Sequence, residues 1–147
     1  MEIAILGLGC FWDPEIKFSK LNGIIKTEVG YCGGNNSQTS YKEVCTGSTN
    51  HAEVVKLDFD PKIISYEKII EFFFEIHDPT TLNSQGPDFG TQYRSEIFYL
   101  NDEQKDIAKK IIEKYNKKLS GKVVTKISQI KNYCIAEEYH QKYLEKR

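Results

Sequence analysis

The feature that most narrows the possible folds is an apolar run, Ile3 to Leu8, that stops at Gly9 and is followed by Pro14. A short apolar run bounded by glycine reads as a buried strand. Proline is tolerated in the first turn of a helix, where its missing N–H would be unpaired anyway. Pro14 therefore sets the start of the next helix no earlier than about Phe11. Between strand and helix lies Gly9-Cys10-Phe11-Trp12, which holds the only tryptophan of the chain. Cys10 is predicted at or just before a helix N-terminus, near the positive end of the dipole, where a thiolate is stabilised. From the residues alone, Cys10 is either a reactive sulfur facing an aromatic pocket or an inert core thiol, since free cysteine is among the most buried residue types.

The helix after Cys10 has Ile16, Phe18 and Leu21 for its inward face. Residues 24–31 read as a second strand, and Gly33 to Ser40, rich in Gly, Asn, Ser and Gln, as a surface loop. Residues 52–59 alternate around Val54, Val55, Leu57 and Phe59 as a third strand. Ser65 is a good N-cap for a helix running to Glu75, which His77-Asp78-Pro79 ends. Residues 80–91 read as an irregular polar loop, 93–100 as a strand and 102–119 as a long amphipathic helix. Residues 123–130 read as a strand and 136–145 as a short terminal helix. The first six elements follow the β-α-β-β-α-β order of the split βαβ pattern. The expected fold class is α+β: a single-domain two-layer sandwich over residues 1–147, with a mixed sheet and a ferredoxin-like/split βαβ core.

With 147 residues the chain can build one proper core. Its formal net charge of -1 gives no ground for broad binding to nucleic acid or to anionic membrane. Lys105, Lys109, Lys110, Lys114, Lys117 and Lys118 are interleaved with Asp102, Glu103, Asp106 and Glu113, as on a solvated helix face. No apolar run nears the ~20 residues of a membrane span, and no secretion signal precedes the first strand. A cytoplasmic monomer is expected. The four cysteines, at 10, 32, 45 and 134, form no C-x-x-C pair and have no histidine at zinc-finger spacing, so no metal site is expected. They are expected to be thiols rather than a disulfide framework. No Gly-rich phosphate fingerprint is present, which argues against a nucleotide cofactor.

Seven ordered blocks carry a family resemblance. They begin with Gly9-Cys10-Phe11-Trp12, Gly30-Tyr31-Cys32-Gly33-Gly34 and Tyr41-Lys42-Glu43-Val44-Cys45-Thr46-Gly47. His51-Ala52-Glu53-Val54-Val55 and His77-Asp78-Pro79-Thr80 follow. Then come Gln85-Gly86 with Asp88 and Gly90-Thr91-Gln92-Tyr93-Arg94-Ser95, and Ala136-Glu137-Glu138-Tyr139-His140-Gln141-Lys142-Tyr143-Leu144. Together they resemble the A type of methionine sulfoxide reductase, the family that reduces the S epimer of methionine sulfoxide in peptides, in proteins or free. The resemblance covers nearly the whole chain. It implies Cys10 as the nucleophile that becomes a sulfenic acid, Glu53 as the acid that protonates the sulfoxide oxygen, and Tyr41 and Tyr93 as hydrogen-bond donors to that oxygen. It also implies Phe11 and Trp12 as the pocket for the substrate's methyl group, and Asp88 as an acid that arranges the site. His51 and His140 are expected in supporting roles. No bound cofactor is implied. The reductant would be an external thiol: thioredoxin, glutaredoxin with glutathione, or dithiothreitol in vitro.

The residue chemistry points the same way. Reducing a sulfoxide needs a nucleophile at sulfur and an acid for the oxygen, and cysteine forms a sulfenic acid that other thiols reduce. A carboxyl early in an apolar strand, as Glu53 is, should be partly desolvated and stay protonated near neutrality. Phenols donate hydrogen bonds at neutral pH without carrying charge. Asp13-Pro14 departs from the family pattern, and Asp13 is expected to face solvent, since a carboxylate near Cys10 opposes thiolate formation. Asn50 stands where glycine is common, so a left-handed backbone is expected there. The Gly-rich tail bearing the usual recycling cysteine is expected to be absent. Cys32, Cys134 and Cys45, in that order, are the internal candidates for a resolving thiol, against a one-cysteine cycle served by an external thiol. Two other readings stay open from the residues: a hydrolase pairing Cys10 with His51 or His140, and a non-catalytic module that binds methionine-containing peptides.

Overall fold

The computed structural model describes residues 1–146. Strand β1 (Glu2–Leu8) leads into helix α1 (Trp12–Ser19), β2 (Ile24–Cys32), a short helix α2 (Tyr41–Cys45), β3 (Ala52–Phe59) and α3 (Tyr66–Glu75). A two-strand hairpin, β4 (Ser84–Gln85) and β5 (Asp88–Phe89), precedes a 3₁₀ turn at Thr91–Tyr93. Then follow β6 (Ser95–Tyr99), α4 (Asp102–Lys118), β7 (Lys126–Gln129), β8 (Cys134–Ile135) and a 3₁₀ turn at Glu138–His140. No helix among the described residues is long and apolar enough to cross a membrane.

The main sheet has six strands in the order β7-β6-β1-β3-β2-β8. Its central four, β6-β1-β3-β2, have the 4-1-3-2 order of the split βαβ pattern and are antiparallel throughout. The parallel pairing of β7 with β6 makes the sheet mixed, as the sequence predicts. Ala4, Leu6, Leu8, Val55, Leu57 and Phe59 face Phe18 of α1, Ile69, Ile70 and Phe73 of α3, and Ala108 and Ile111 of α4. The alternate residues Ile5, Cys32, Ala52, Val54 and Phe98 form a second cluster on the opposite face, covered by Ile130 and Tyr133. Period-two alternation along each strand produces this division.

Two expectations are corrected. Residues 136–145 are not a helix. The segment is a strap held by long-range hydrogen bonds: the Gln141 side chain accepts from the Val29 N–H and donates to its carbonyl, and the Lys142 N–H donates to the buried Glu15 carboxylate at 2.6 Å. Lys142 itself is left-handed (φ 52°), which no helix interior tolerates. The second correction is α2, which the sequence reading assigned to no element. Ser40 is its N-cap: the hydroxyl accepts a hydrogen bond from the Glu43 N–H and donates to the Glu43 carboxylate.

Candidate active site

Gly9 ends β1 with φ +96°, and a Cβ there would lie 2.8 Å from the Gln85 side chain. Glycine thus serves both the turn and the close approach of the β4–β5 hairpin. Cys10 follows, half-buried, directly before α1. The first free N–H groups of that helix are aimed at chemistry. The Phe11 N–H donates to Glu53 Oε1 at 3.3 Å, and the Trp12 N–H is close enough to the Cys10 sulfur to favour its ionised form. Pro14 sits in the first turn, as predicted, and Asp13 is exposed and paired with Lys17 at 2.8 Å.

Glu53 lies on the helix-facing side of β3, 1% exposed, opposite Tyr31 of β2. Its Oε2 is buried with no partner among the described residues. Burial, aided by the nearby Asp88, pushes its pKa up to about 8. A carboxyl so placed is a neutral acid at pH 7. Cys10 has the dipole position the sequence predicts, yet its thiol is pushed up to about 12. Desolvation is the main cause and outweighs the Trp12 N–H; Glu53, Asp88 and Asp13 add to it. The helix N-terminus alone does not make a thiolate here.

Tyr41 opens α2, where its N–H donates to Glu137 Oε2 at 3.0 Å. Tyr93 closes the 3₁₀ turn that leads into β6. Burial first, then neighbouring acidic groups including Glu53, raise both phenols, Tyr93 to about 12, so both stay protonated donors. Asp88 on β5 lies near enough for its charge to act on Cys10, Glu53 and Tyr93. Cys10, Glu53, Tyr41, Tyr93 and Asp88 therefore come together from five separate segments.

Phe11 is buried against Tyr31 at 5.8 Å and His140 at 5.2 Å between ring centroids. Trp12 stacks on Tyr143 at 3.8 Å and 10°, and its indole N–H donates to His140 Nδ1 at 3.1 Å. His140 thus fixes the indole. His51 accepts from the Gly34 N–H at Nδ1, and its Nε2 lies 2.7 Å from the Asn36 carbonyl oxygen. It ties down the loop between β2 and α2. A Cβ on Gly34 would lie 2.3 Å from His51 Cγ and 2.6 Å from the Thr49 carbonyl oxygen. Gly34→Ala is expected to cost about 2 kcal/mol and lower Tm by roughly 4–8 °C, as thermal denaturation would measure. Asn50 is left-handed (φ 60°), as expected.

The three candidate resolving cysteines lie in different surroundings. Cys32 is 0% exposed, on the sheet face opposite Glu53, with its sulfur against the Lys131 carbonyl. Strand alternation turns it away because its neighbour Tyr31 faces the site. Cys134 pairs with Tyr31 on β8, its sulfur beside the Thr39 carbonyl. Cys45, placed last, is exposed and within hydrogen-bonding reach of the Tyr41 hydroxyl, with Glu53 nearby. The sequence reading also gave no role to Glu137, which accepts from both the Tyr31 hydroxyl and the Tyr41 N–H. Its partners lie about 100 residues away, and no local pattern announces it.

The family model described as peptide methionine sulfoxide reductase matches residues 2–147. The chain belongs to that family. It is 80% identical over 147 residues, all of both chains, to peptide methionine sulfoxide reductase MsrA of Pelagibacter ubique (strain HTCC1062). It is 49% identical over 146 residues to the MsrA of Saccharolobus solfataricus, covering 99% of this chain and 82% of that protein. Among solved structures, reduced Mxr1 from Saccharomyces cerevisiae superposes with a TM-score of 0.94 at 44% identity, covering 99% of this chain and 85% of that one. Mxr1 in complex with Trx2 gives 0.68 at 28% identity, covering 97% and 84%. The protein is accordingly a methionine sulfoxide reductase of the A type, an oxidoreductase.

Proposed function

We propose that this reductase acts on the S epimer of methionine sulfoxide, protein-bound or free, through a sulfenic acid on Cys10. The observation that carries the reading is Glu53: a carboxyl raised to about 8, one oxygen unpartnered, the other bonded to the amide beside Cys10. The sulfoxide oxygen takes hydrogen bonds from Tyr41 and Tyr93 and the Glu53 proton, which makes its sulfur electrophilic. The Cys10 sulfur attacks as its own proton passes to the carboxylate that Glu53 has become. The oxygen ends on Cys10, and the thioether leaves. This relay adds no new net charge to the desolvated site, which suits two groups that both rest protonated at pH 7. Phe11 and Trp12 hold the methyl group, and Asp88 orders the polar side of the site. With the methyl group, the oxygen and the side chain's direction of entry each fixed by a different wall, one epimer at sulfur fits and the other does not.

Assay of both epimers with dithiothreitol tests this reading. The S epimer is expected to turn over and the R epimer not. Because the reactive form needs Glu53 protonated, kcat/KM should be level from about pH 6 to 7.5 and fall about tenfold per unit above about 8. A rate that climbs through pH 8 would make the free thiolate the reactive species and remove the relay.

Recycling is proposed to run by direct attack of an external thiol on the Cys10 sulfenic acid, releasing water. A further thiol then reduces the mixed disulfide. Thioredoxin or glutaredoxin with glutathione would supply those thiols in a cytoplasmic setting. The place of Cys45 beside Tyr41 favours one second reading, an internal Cys10–Cys45 disulfide. Mass spectrometry after one equivalent of substrate, without reductant, separates them. One added oxygen on Cys10 supports the first; loss of two hydrogens with a linked Cys45 peptide supports the second.

A further inference from the structure

Large apolar side chains stand exposed beside the site. Phe89 is 76% exposed, Leu82 on the same loop 66%, and Tyr139 59%. Single apolar residues are ordinary on protein surfaces, but these flank the chemistry. Phe89 follows Asp88 on β5; the Asp88 charge acts on Cys10 and Tyr93, and the Phe89 ring stands in solvent, as alternation along a strand allows for neighbouring residues. Its place is fixed. Phe89 pairs with Ser84, the Gly90 N–H donates to the Asn83 carbonyl at 2.9 Å, and the Tyr93 N–H donates to the Gly90 carbonyl at 3.0 Å. Tyr139 precedes His140, its ring 4.2 Å from the imidazole, with Glu137 and Cys45 near its hydroxyl.

The sheet sets the two on opposite flanks. The loop bearing Phe89 feeds β6, beside β1, and the strap bearing Tyr139 leaves β8, beside β2. β3, which carries Glu53, runs between β1 and β2. A side chain reaching Phe11 and Trp12 from outside leaves its backbone and its sequence neighbours over this rim. Four strand spacings separate β6 from β8, about 19 Å, which is about six residues of extended chain.

We propose that the rim is a subsite for the polypeptide on either side of the reducible residue, with Phe89 packing on an apolar side chain to one side and Tyr139 on the other. The preferred substrate is then methionine sulfoxide with apolar residues on either side of it, over the same residue among small polar ones. This rests on the reading of the site given above and adds the class of substrate.

The test measures kcat/KM on three probes: free methionine S-sulfoxide, a heptapeptide with the sulfoxide at its centre and Leu and Phe at its two ends, and one with Gly and Ser at those ends. The wild type is expected to prefer the apolar peptide over the Gly/Ser peptide about tenfold, what half the burial of a phenylalanine side chain provides. Phe89→Ala should lower kcat/KM on the apolar peptide about fivefold to tenfold, through KM, and leave the free amino acid within about a factor of two. Phe89→Leu should keep most of the preference. Equal wild-type rates on the two peptides, or an equal loss on all three probes in Phe89→Ala, would overturn the subsite and leave the reading of the active site standing. Failure of the wild type on every probe would overturn both.

Discussion

Cys10→Ser is expected to lower turnover of methionine S-sulfoxide by at least about a thousandfold, because one group bears the whole covalent step. A serine hydroxyl is far less polarisable than a thiol and far harder to ionise. Its oxygen cannot take up a second oxygen as the sulfur does in forming a sulfenic acid. The fold should not suffer. Cys10 is only half-buried, and a serine oxygen can accept the Trp12 N–H in place of sulfur. The variant should therefore melt close to the wild type and still bind substrate. Turnover with dithiothreitol and labelling of the wild type by a sulfenic-acid trap are the measurements. A serine variant keeping a tenth of the activity would move the nucleophile elsewhere, and the exposed Cys45 would be the next thiol to examine.

Much of this arrangement is legible in the chain because its causes are local. Gly9 and Pro14 fix where β1 stops and α1 starts, and so fix Cys10 at a helix mouth. Alternation in residues 52–59 puts Glu53 on the same side as Val55 and Leu57, which is why a buried neutral carboxyl is foreseeable. The β-α-β-β-α-β order leads to the observed neighbours of β1 and β3. What escaped the sequence reading depends on distant partners or competing terms. The strap after β8 has a helical composition, but Gln141, Lys142 and Glu137 bond to residues more than 90 positions away, and those bonds override local propensity. The protonation of Cys10 is a contest between the helix dipole and desolvation, and only packing decides it. Cys32 lies in a Gly-flanked stretch that invites a mobile reading, yet it is a β2 residue locked behind the sheet. The Ser40 N-cap with Glu43 three residues on is, by contrast, a local signal, and it places Tyr41 at a helix start.

Glu53→Gln should show two large effects of opposite sign. Glutamine is neutral and nearly isosteric, and its carbonyl can accept the Phe11 N–H as Glu53 Oε1 does. It holds no acidic proton, so kcat/KM should fall about a hundredfold to ten-thousandfold at pH 7, and the decline above pH 8 should vanish. Stability should move the other way. In the unfolded chain this carboxyl ionises near its ordinary value of 4.5, whereas in the fold it stays protonated to about 8. The native state therefore binds an extra proton between those values, and stability falls as pH rises through that window and levels off above it. At pH 7 the penalty is about 3 kcal/mol. Glutamine escapes it. The variant should melt several degrees above the wild type at pH 7, and the gain should shrink toward zero as pH falls to about 4.5. Merely structural roles for Glu53 predict a loss of stability with the loss of activity. Only a carboxyl kept out of water for its proton yields a dead enzyme that is harder to unfold, and a glutamine variant that is fully active, or weaker at pH 7, would end that account.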